Sequence, residues 1–293
     1  MSTTFAAPAA PVSPLRTGPA IALLLVSAFV VVLNETAMGV SIPHIMEGFG
    51  VSAASAQWLT TAFMLTMAVI IPITGVLLQR YSLRRNFFTA MGLFSVGTAI
   101  AAVAPVFEIL LAARIVQALG TAVMLPLLFT TVMQLVAPEK RGRTMGLVTI
   151  VTAAAPALGP TVSGVIVSSF GWRWMFIIVL PIALLAMVAG ILWLRNVTPT
   201  MPARFDVLSV LLSAVGFSGL IYGLVAVGEG VVGDGGLPAW IPIAVGALSL
   251  LGLVLRQLAL RHTDRVLLDV RVFAGGLFAV STVAIVVVSI ALF

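Results

Sequence analysis

The 293-residue chain contains no cysteine and only two histidines, His44 and His262. Without thiols there are no disulfides, no thiolate chemistry and no cysteine metal sites. Two histidines this far apart do not suggest a metal site either. Charge is equally scarce: Asp, Glu, Lys and Arg make up 8% of the residues, against about a quarter in a typical soluble domain. Hydrophobic residues account for 61%, and the mean hydropathy is +1.23. Such a chain cannot cover itself in water, so lipid is its solvent.

The charge that remains is basic, with a formal net charge of +6 and an isoelectric point near 11.3. Those values alone would fit nucleic-acid binding. The basic residues, however, form short clusters between apolar runs, as topology signals do, and not a continuous patch. No nucleic-acid partner is expected. The first 19 residues, rich in Pro and Ala with a single Arg16, read as a disordered tail. A cleaved signal peptide is the alternative; the length of the following apolar run and its Asn-Glu-Thr ending speak against it.

A helix needs about 20 mostly apolar residues to cross the hydrocarbon core. Runs of that kind lie at 20–42, 58–78, 87–106, 109–131, 144–167, 174–194, 207–228 and 239–257, and a ninth starts at Gly276 and stops at Phe293. They are long and lack strand-like alternation, so backbone hydrogen bonding in lipid makes them helices and not barrel strands. With the N-terminus inside, thirteen of the fifteen basic residues fall in inner connectors. These are Arg16; Arg80, Arg84 and Arg85; Lys140, Arg141 and Arg143; Arg195 and Arg204; and Arg256, Arg261, Arg265 and Arg271. Only Arg173 lies in an outer connector, and Arg114 lies within a span. That bias places the N-terminus in the cytoplasm. The ninth run is short and has no anchor at its far end, from which a truncated chain is expected.

Two charges are embedded in the spans. Glu35 lies in the first, where a charged group costs roughly 2.5–3.5 kcal/mol on insertion scales and usually marks an ion or substrate pathway. Arg114 lies in the fourth. At about 1.5 Å per residue, Glu35 is roughly 10 Å and Arg114 roughly 8 Å below the outer ends of their spans. The two charges are therefore expected to face one another, directly or through water. A guanidinium beside a carboxylate sets its proton affinity, and a substrate that alters the contact alters protonation. Gln117 and Thr121 follow Arg114 at i+3 and i+7, giving a polar stripe that should point into a cavity. A static buried ion pair that merely orients helices is the structural alternative.

Other patterns carry less. Pro156, Gly159, Pro160, Ser163 and Gly164 interrupt the fifth span, but lipid-embedded helices are generally rich in Gly and Pro. Gly219 and Gly223 form a GxxxG match of a kind common by chance in this composition. Gly228 to Gly233 fits G-x-G-x-x-G in an external connector, outside the strand-to-helix context a dinucleotide site needs. Asn34-Glu35-Thr36 fits the glycosylation pattern inside the membrane. No phosphate-binding loop and no serine–histidine–carboxylate set is present, so no enzyme activity and no cofactor is expected.

Several segments together resemble the major facilitator superfamily, specifically its fourteen-helix drug:proton antiporters. Leu33-Asn34-Glu35-Thr36 through Ser41-Ile42-Pro43 is similar to that family's first-helix signature, with Glu where Asp is common. Gly75 to Gln79-Arg80-Tyr81-Ser82-Leu83-Arg84-Arg85 resembles its loop signature between helices 2 and 3, with Gln79 and Ser82 in place of the usual Asp and Gly. Arg114-Ile115-Val116-Gln117-Ala118-Leu119-Gly120 resembles the helix 4 signature. Gly146, Ala155, Gly159-Pro160 and Ser163-Gly164 follow the antiporter signature of helix 5, and Trp172 to Phe176 with Pro181 resembles the entry to helix 6. The Glu and the glutamine-containing loop are similar to the lincomycin-efflux-like branch.

The resemblance implies an all-α integral membrane fold: a six-helix N-terminal bundle over 20–194, a cytoplasmic connector at 195–206, two linker helices over 207–258, and a cytoplasmic loop with an incomplete ninth helix at 259–293. It implies proton-coupled efflux of amphipathic drug-like small molecules across the cytoplasmic membrane. Glu35 and Arg114 would couple the proton, while Asn34, Gln117 and Thr121 would line the cavity. Gly75, Gln79, Arg80, Arg84, Arg85, Gly159, Pro160 and Gly164 would serve conformational change. Alternating access needs two bundles, so a C-terminal bundle would be required to complete the path. Another secondary transporter or facilitator on the same fold, or a truncated membrane protein that does not transport, is the alternative.

Overall fold

The computed structural model describes residues 14–196, 206–228, 238–260 and 275–292. The tail before Pro14, most of the 195–206 connector, residues 229–237 with most of the G-x-G-x-x-G match, and residues 261–274 lie outside the described residues. The described residues are helical, without strands. In chain order the helices are α1 (Pro14–Phe49), α2 (Ala53–Arg80), α3 (Leu83–Val103), α4 (Phe107–Leu135), α5 (Pro138–Phe170), α6 (Arg173–Trp193), α7 (Val207–Gly228), α8 (Trp240–Ala259) and α9 (Gly276–Leu292). Eight of them, α1 to α8, are long and apolar enough to cross a membrane.

Several helices outrun the apolar windows that announce them. α1 starts at Pro14, so residues 14–19 of the expected tail are helical, and it continues seven residues past Ile42. α5 starts at Pro138, six residues before its apolar run, with Pro138 in the first turn and Glu139 complementing the helix dipole. Once nucleated, a helix gains one backbone bond per added residue, so apolarity bounds the lipid-facing part but not the helix. Arg80, Lys140, Arg141, Arg143 and Arg256 accordingly sit on helical turns, not in loops. α3 starts four residues before its run but stops at Val103, where Pro105 disfavours helical backbone at Ala104. Glycines in positive-φ conformations follow two helix ends: Gly50 (φ 65°) after α1 and Gly171 (φ 89°) after α5.

The chain divides into two compact units, and the boundary falls within α2. The first comprises residues up to Phe63 and 81–200. Here small residues let helices approach until backbones touch. A Cβ on Gly97 of α3 would come within 2.6–2.7 Å of the Gln117 N and the Ala113 O of α4. A Cβ on Gly120 of α4 would run into the Ala90 O of α3. Gly159 of α5 abuts Thr36 of α1 in the same way, and Gly190 of α6 faces the Phe87 ring of α3. Toward the C-terminal end of α1 the core is apolar and aromatic, with Met38, Ile45, Leu59, Leu110, Trp172 and Phe176 buried together. Phe49 stacks on Trp172 with ring centroids 5.4 Å apart. There Arg173 donates to the Ala104 O at 2.9 Å, with its Cζ 4.3 Å from the Trp172 ring centroid.

The second unit comprises residues 64–80 and 201–293. Within it α7 and α8 form an antiparallel hairpin. Gly219 lies against Gly246, where an added Cβ would meet the Gly246 Cα at 3.0 Å, and Gly223 lies against Ile243. The GxxxG pair is thus a packing face. At the other end of the hairpin Asp206 caps α7, accepting from the Ser209 N at 3.1 Å. Its carboxylate also takes two bonds from Arg256 of α8, Nε at 2.6 Å and Nη2 at 2.7 Å. Gln257 Nε2 donates to the Ser209 Oγ at 2.7 Å, and the Ser209 hydroxyl bonds the same carboxylate.

Candidate functional site

The polar stripe of α4 lies in the first unit, buried against α1 and α3. Arg114 is 1% exposed and Gln117 fully buried, with Asn34 and Thr121 buried beside them. Arg114 Nη1 donates to Gln117 Oε1 at 3.0 Å and, at a longer 3.4 Å, to Asn34 Oδ1. Gln117 Nε2 donates to the same Asn34 oxygen at 3.4 Å and to Thr98 Oγ1 of α3 at 2.8 Å. The guanidinium also lies over the Phe63 ring, Cζ to centroid 4.1 Å, an attraction that strengthens when the pair is desolvated. Thr121 does not reach the guanidinium; its hydroxyl donates to the Gln117 O at 3.0 Å on its own helix.

Glu35 is half-buried and neighbours this cluster in sequence. No N···O contact of 4.0 Å or less joins it to Arg114; the group that bonds Arg114 from α1 is Asn34. Successive residues on a helix point about 100° apart, so Asn34 and Glu35 cannot both aim at one nitrogen. The two opposite charges act on each other through space. The guanidinium is thus held by neutral amide oxygens, short of its full set of partners. The Arg114 Nε, which has no hydrogen-bond partner, shows the same incompleteness.

Across from this cluster, Gly159 presses on Thr36, one residue past Glu35. Thr36 in turn donates to the Val32 and Leu33 carbonyls of its own helix. Ala155, Gly159 and Ser163 form the buried stripe of α5. Pro160 is exposed, and a Cβ on Gly164 would meet nothing within 4 Å. Of the residues expected to serve conformational change on α5, the structure thus brings only Gly159 to the α1 interface.

The α2–α3 connection is a different place. Gly75, Gln79 and Arg80 are exposed on the last turns of α2, with open space at Gly75. Ser82 caps α3, its hydroxyl accepting from the Arg85 N at 3.4 Å. Arg85 stacks on Tyr81 at 4.2 Å and Arg84 lies 5.7 Å from the Phe88 ring. The serine that stands where the resembling family has glycine therefore has a structural use. Among the described residues no group of three or more His, Asp or Glu could hold a metal.

Sequence reasoning missed Thr98, Phe63 and the Asp206–Arg256 clamp. Gly97-Thr98 on α3 was the available signal for the first, a small residue beside a hydroxyl in an apolar span. A ring that receives a guanidinium from another helix has no local signature.

A model of the Major Facilitator Superfamily matches residues 24–293. The chain belongs to the Major Facilitator Superfamily. Among curated superfamily members it is 42% identical over 262 residues to the uncharacterized MFS-type transporter YcnB of Bacillus subtilis, covering 89% of this chain and 54% of that protein. It is 38% identical over 267 residues to the lincomycin resistance protein LmrB of the same organism, covering 91% and 55%. It is 31% identical over 247 residues to the putative multidrug resistance protein MdtD of Escherichia fergusonii, covering 84% and 51%. The chain thus spans about half the length of the curated relatives it matches. Among solved structures it superposes on a peptide transporter POT in complex with sulfate with a TM-score of 0.56 at 16% identity, over 72% of this chain and 51% of that one. That likeness shows the all-helical fold.

Proposed function

We propose that this chain forms the N-terminal part of a proton-coupled efflux antiporter that exports amphipathic drug-like molecules across the cytoplasmic membrane, with its N-terminus in the cytoplasm. On this reading residues 20–194 are the first bundle and 207–258 the linker pair, and a second bundle completes the path. The resistance proteins among its relatives support export of drugs. The observation that carries the proton-coupled part is the buried Arg114 held by Asn34 and Gln117 beside a half-buried Glu35 that it does not bond.

A carboxylate in this position can exchange between a protonated and an ionised form as the guanidinium approaches or retreats. Substrate entering the cavity competes for the same polar surface, linking its passage to the proton. The cavity needs few polar groups for orientation and a largely apolar lining, which suits amphipathic cargo.

The test is uptake of a fluorescent amphipathic cation into everted vesicles that carry this chain together with its second bundle, under an imposed pH gradient alone. Accumulation against the dye gradient is expected. Equilibration without accumulation would indicate a facilitator on the same fold.

A further inference from the structure

We propose that Thr98 is a positioning residue of the proton site: it fixes the Gln117 amide and, through it, turns the Arg114 guanidinium toward Asn34 and away from Glu35. The proposal rests on the proton-coupled reading above, and it extends that reading to a residue on a third helix.

Donors and acceptors fix the arrangement. Thr98 has a single hydroxyl proton, and it is given to the Phe94 O at 2.6 Å. Toward Gln117 the hydroxyl can then only accept, so it must face the amide NH2, as it does at 2.8 Å. That leaves the Gln117 oxygen facing the other way, onto Arg114 Nη1 at 3.0 Å. A flipped amide would set two donors against each other at Arg114, and its oxygen could be met at Thr98 only by taking the hydroxyl proton away from the Phe94 O. The threonine therefore polarises the whole chain of contacts, and both amide oxygens end up on the same guanidinium nitrogen.

The close approach that permits this is built into α3. At Gly97, an added Cβ would come within 2.7 Å of the Gln117 Cγ, so the preceding residue brings the hydroxyl within reach of the amide. Thr98 is fully buried.

Glu35 is the acceptor to which a released guanidinium would turn. Arg114 of α4 is the charged group that acts on it. The other helices packed on α1 carry charge only near their ends: Glu139, Lys140, Arg141 and Arg143 on α5, Arg173 on α6 and, on α4 itself, Glu108. Within α1, His44 and Glu47 lie two and three turns away.

The experiment is an infrared pH titration of the purified protein in lipid nanodiscs, following the carboxyl band that Glu35→Gln removes. In Thr98→Val, which keeps the volume and deletes the hydroxyl, the midpoint of that band should move to lower pH by roughly one unit, the effect of bringing a cation onto a carboxylate. Thr98→Ser should restore the wild-type midpoint. Gln117→Leu, which deletes the acceptor itself, should move the band in the same direction and serves if Thr98→Val does not fold. A midpoint that stays in place or rises, or a serine variant displaced as far as the valine, overturns the proposal. If Glu35→Gln removes no titrating band, the proton-carrying reading fails and the proposal with it. An assigned band that ignores Thr98→Val overturns this proposal alone.

Discussion

Arg114 concentrates the chemistry of the described membrane interior. Its charge is permanent, it is almost wholly buried, and its bonds run to two neutral amides. A lysine there would keep the charge but lose the planar group that lies over Phe63 while reaching Asn34 and Gln117. Arg114→Lys is therefore expected to fold and insert, as judged by yield and size-exclusion profile. Gradient-driven dye accumulation in the same vesicles should fall at least tenfold. Sequence reading found Arg114, Gln117 and Asn34, because polar side chains in apolar spans stand out. It could not say that Asn34 and not Glu35 would take the bond, since that depends on a rotation of α1 that no single-helix pattern fixes. Thr121 sits on the same stripe, with its hydroxyl proton given one turn back on its own helix.

At the scale of elements, small residues decide which helices can touch. Gly159 and Gly164 belong to the same sequence signature but have different surroundings. Gly159→Val would drive a branched side chain into Thr36 and should cost about 1–3 kcal/mol by overpacking, read as a lowered melting temperature. Gly164→Ala, with open space at its Cβ, should not lower the melting temperature and should raise it slightly through helix propensity. The α7–α8 hairpin offers a pH test. Hydrogen bonds from Arg256, joined by those from Ser209, hold the Asp206 carboxyl well below the usual carboxylate range. Because the folded value is depressed, this stabilisation is complete above the unfolded value near 4 and is lost as the pH falls below it. Thermal melts should therefore show no contribution from this clamp to pH dependence between pH 5 and 8. In strong acid the wild type should lose stability, and Asp206→Asn should lose less. The amide can still cap α7, so at neutral pH the variant should be modestly weaker, whereas Asp206→Ala should cost about a further 1 kcal/mol. Sequence reading used Arg256 only as a topology signal, because its partner lies 50 residues away.

At the scale of the molecule, apolar length and the placement of basic residues were enough to find all nine helices described, and the ordered signatures were enough to place the chain in its superfamily. Helix ends were less legible, since hydropathy measures contact with lipid and helices continue beyond it. In the proposed function Glu35, in the apolar span of α1, links substrate movement to the proton gradient. The most direct measurement compares wild type with Glu35→Gln in the same vesicles, recording gradient-driven dye accumulation together with dye exchange in the absence of a gradient. The glutamine variant should lose accumulation under a pH gradient while retaining exchange. A variant that still accumulates dye to the wild-type level would contradict that link.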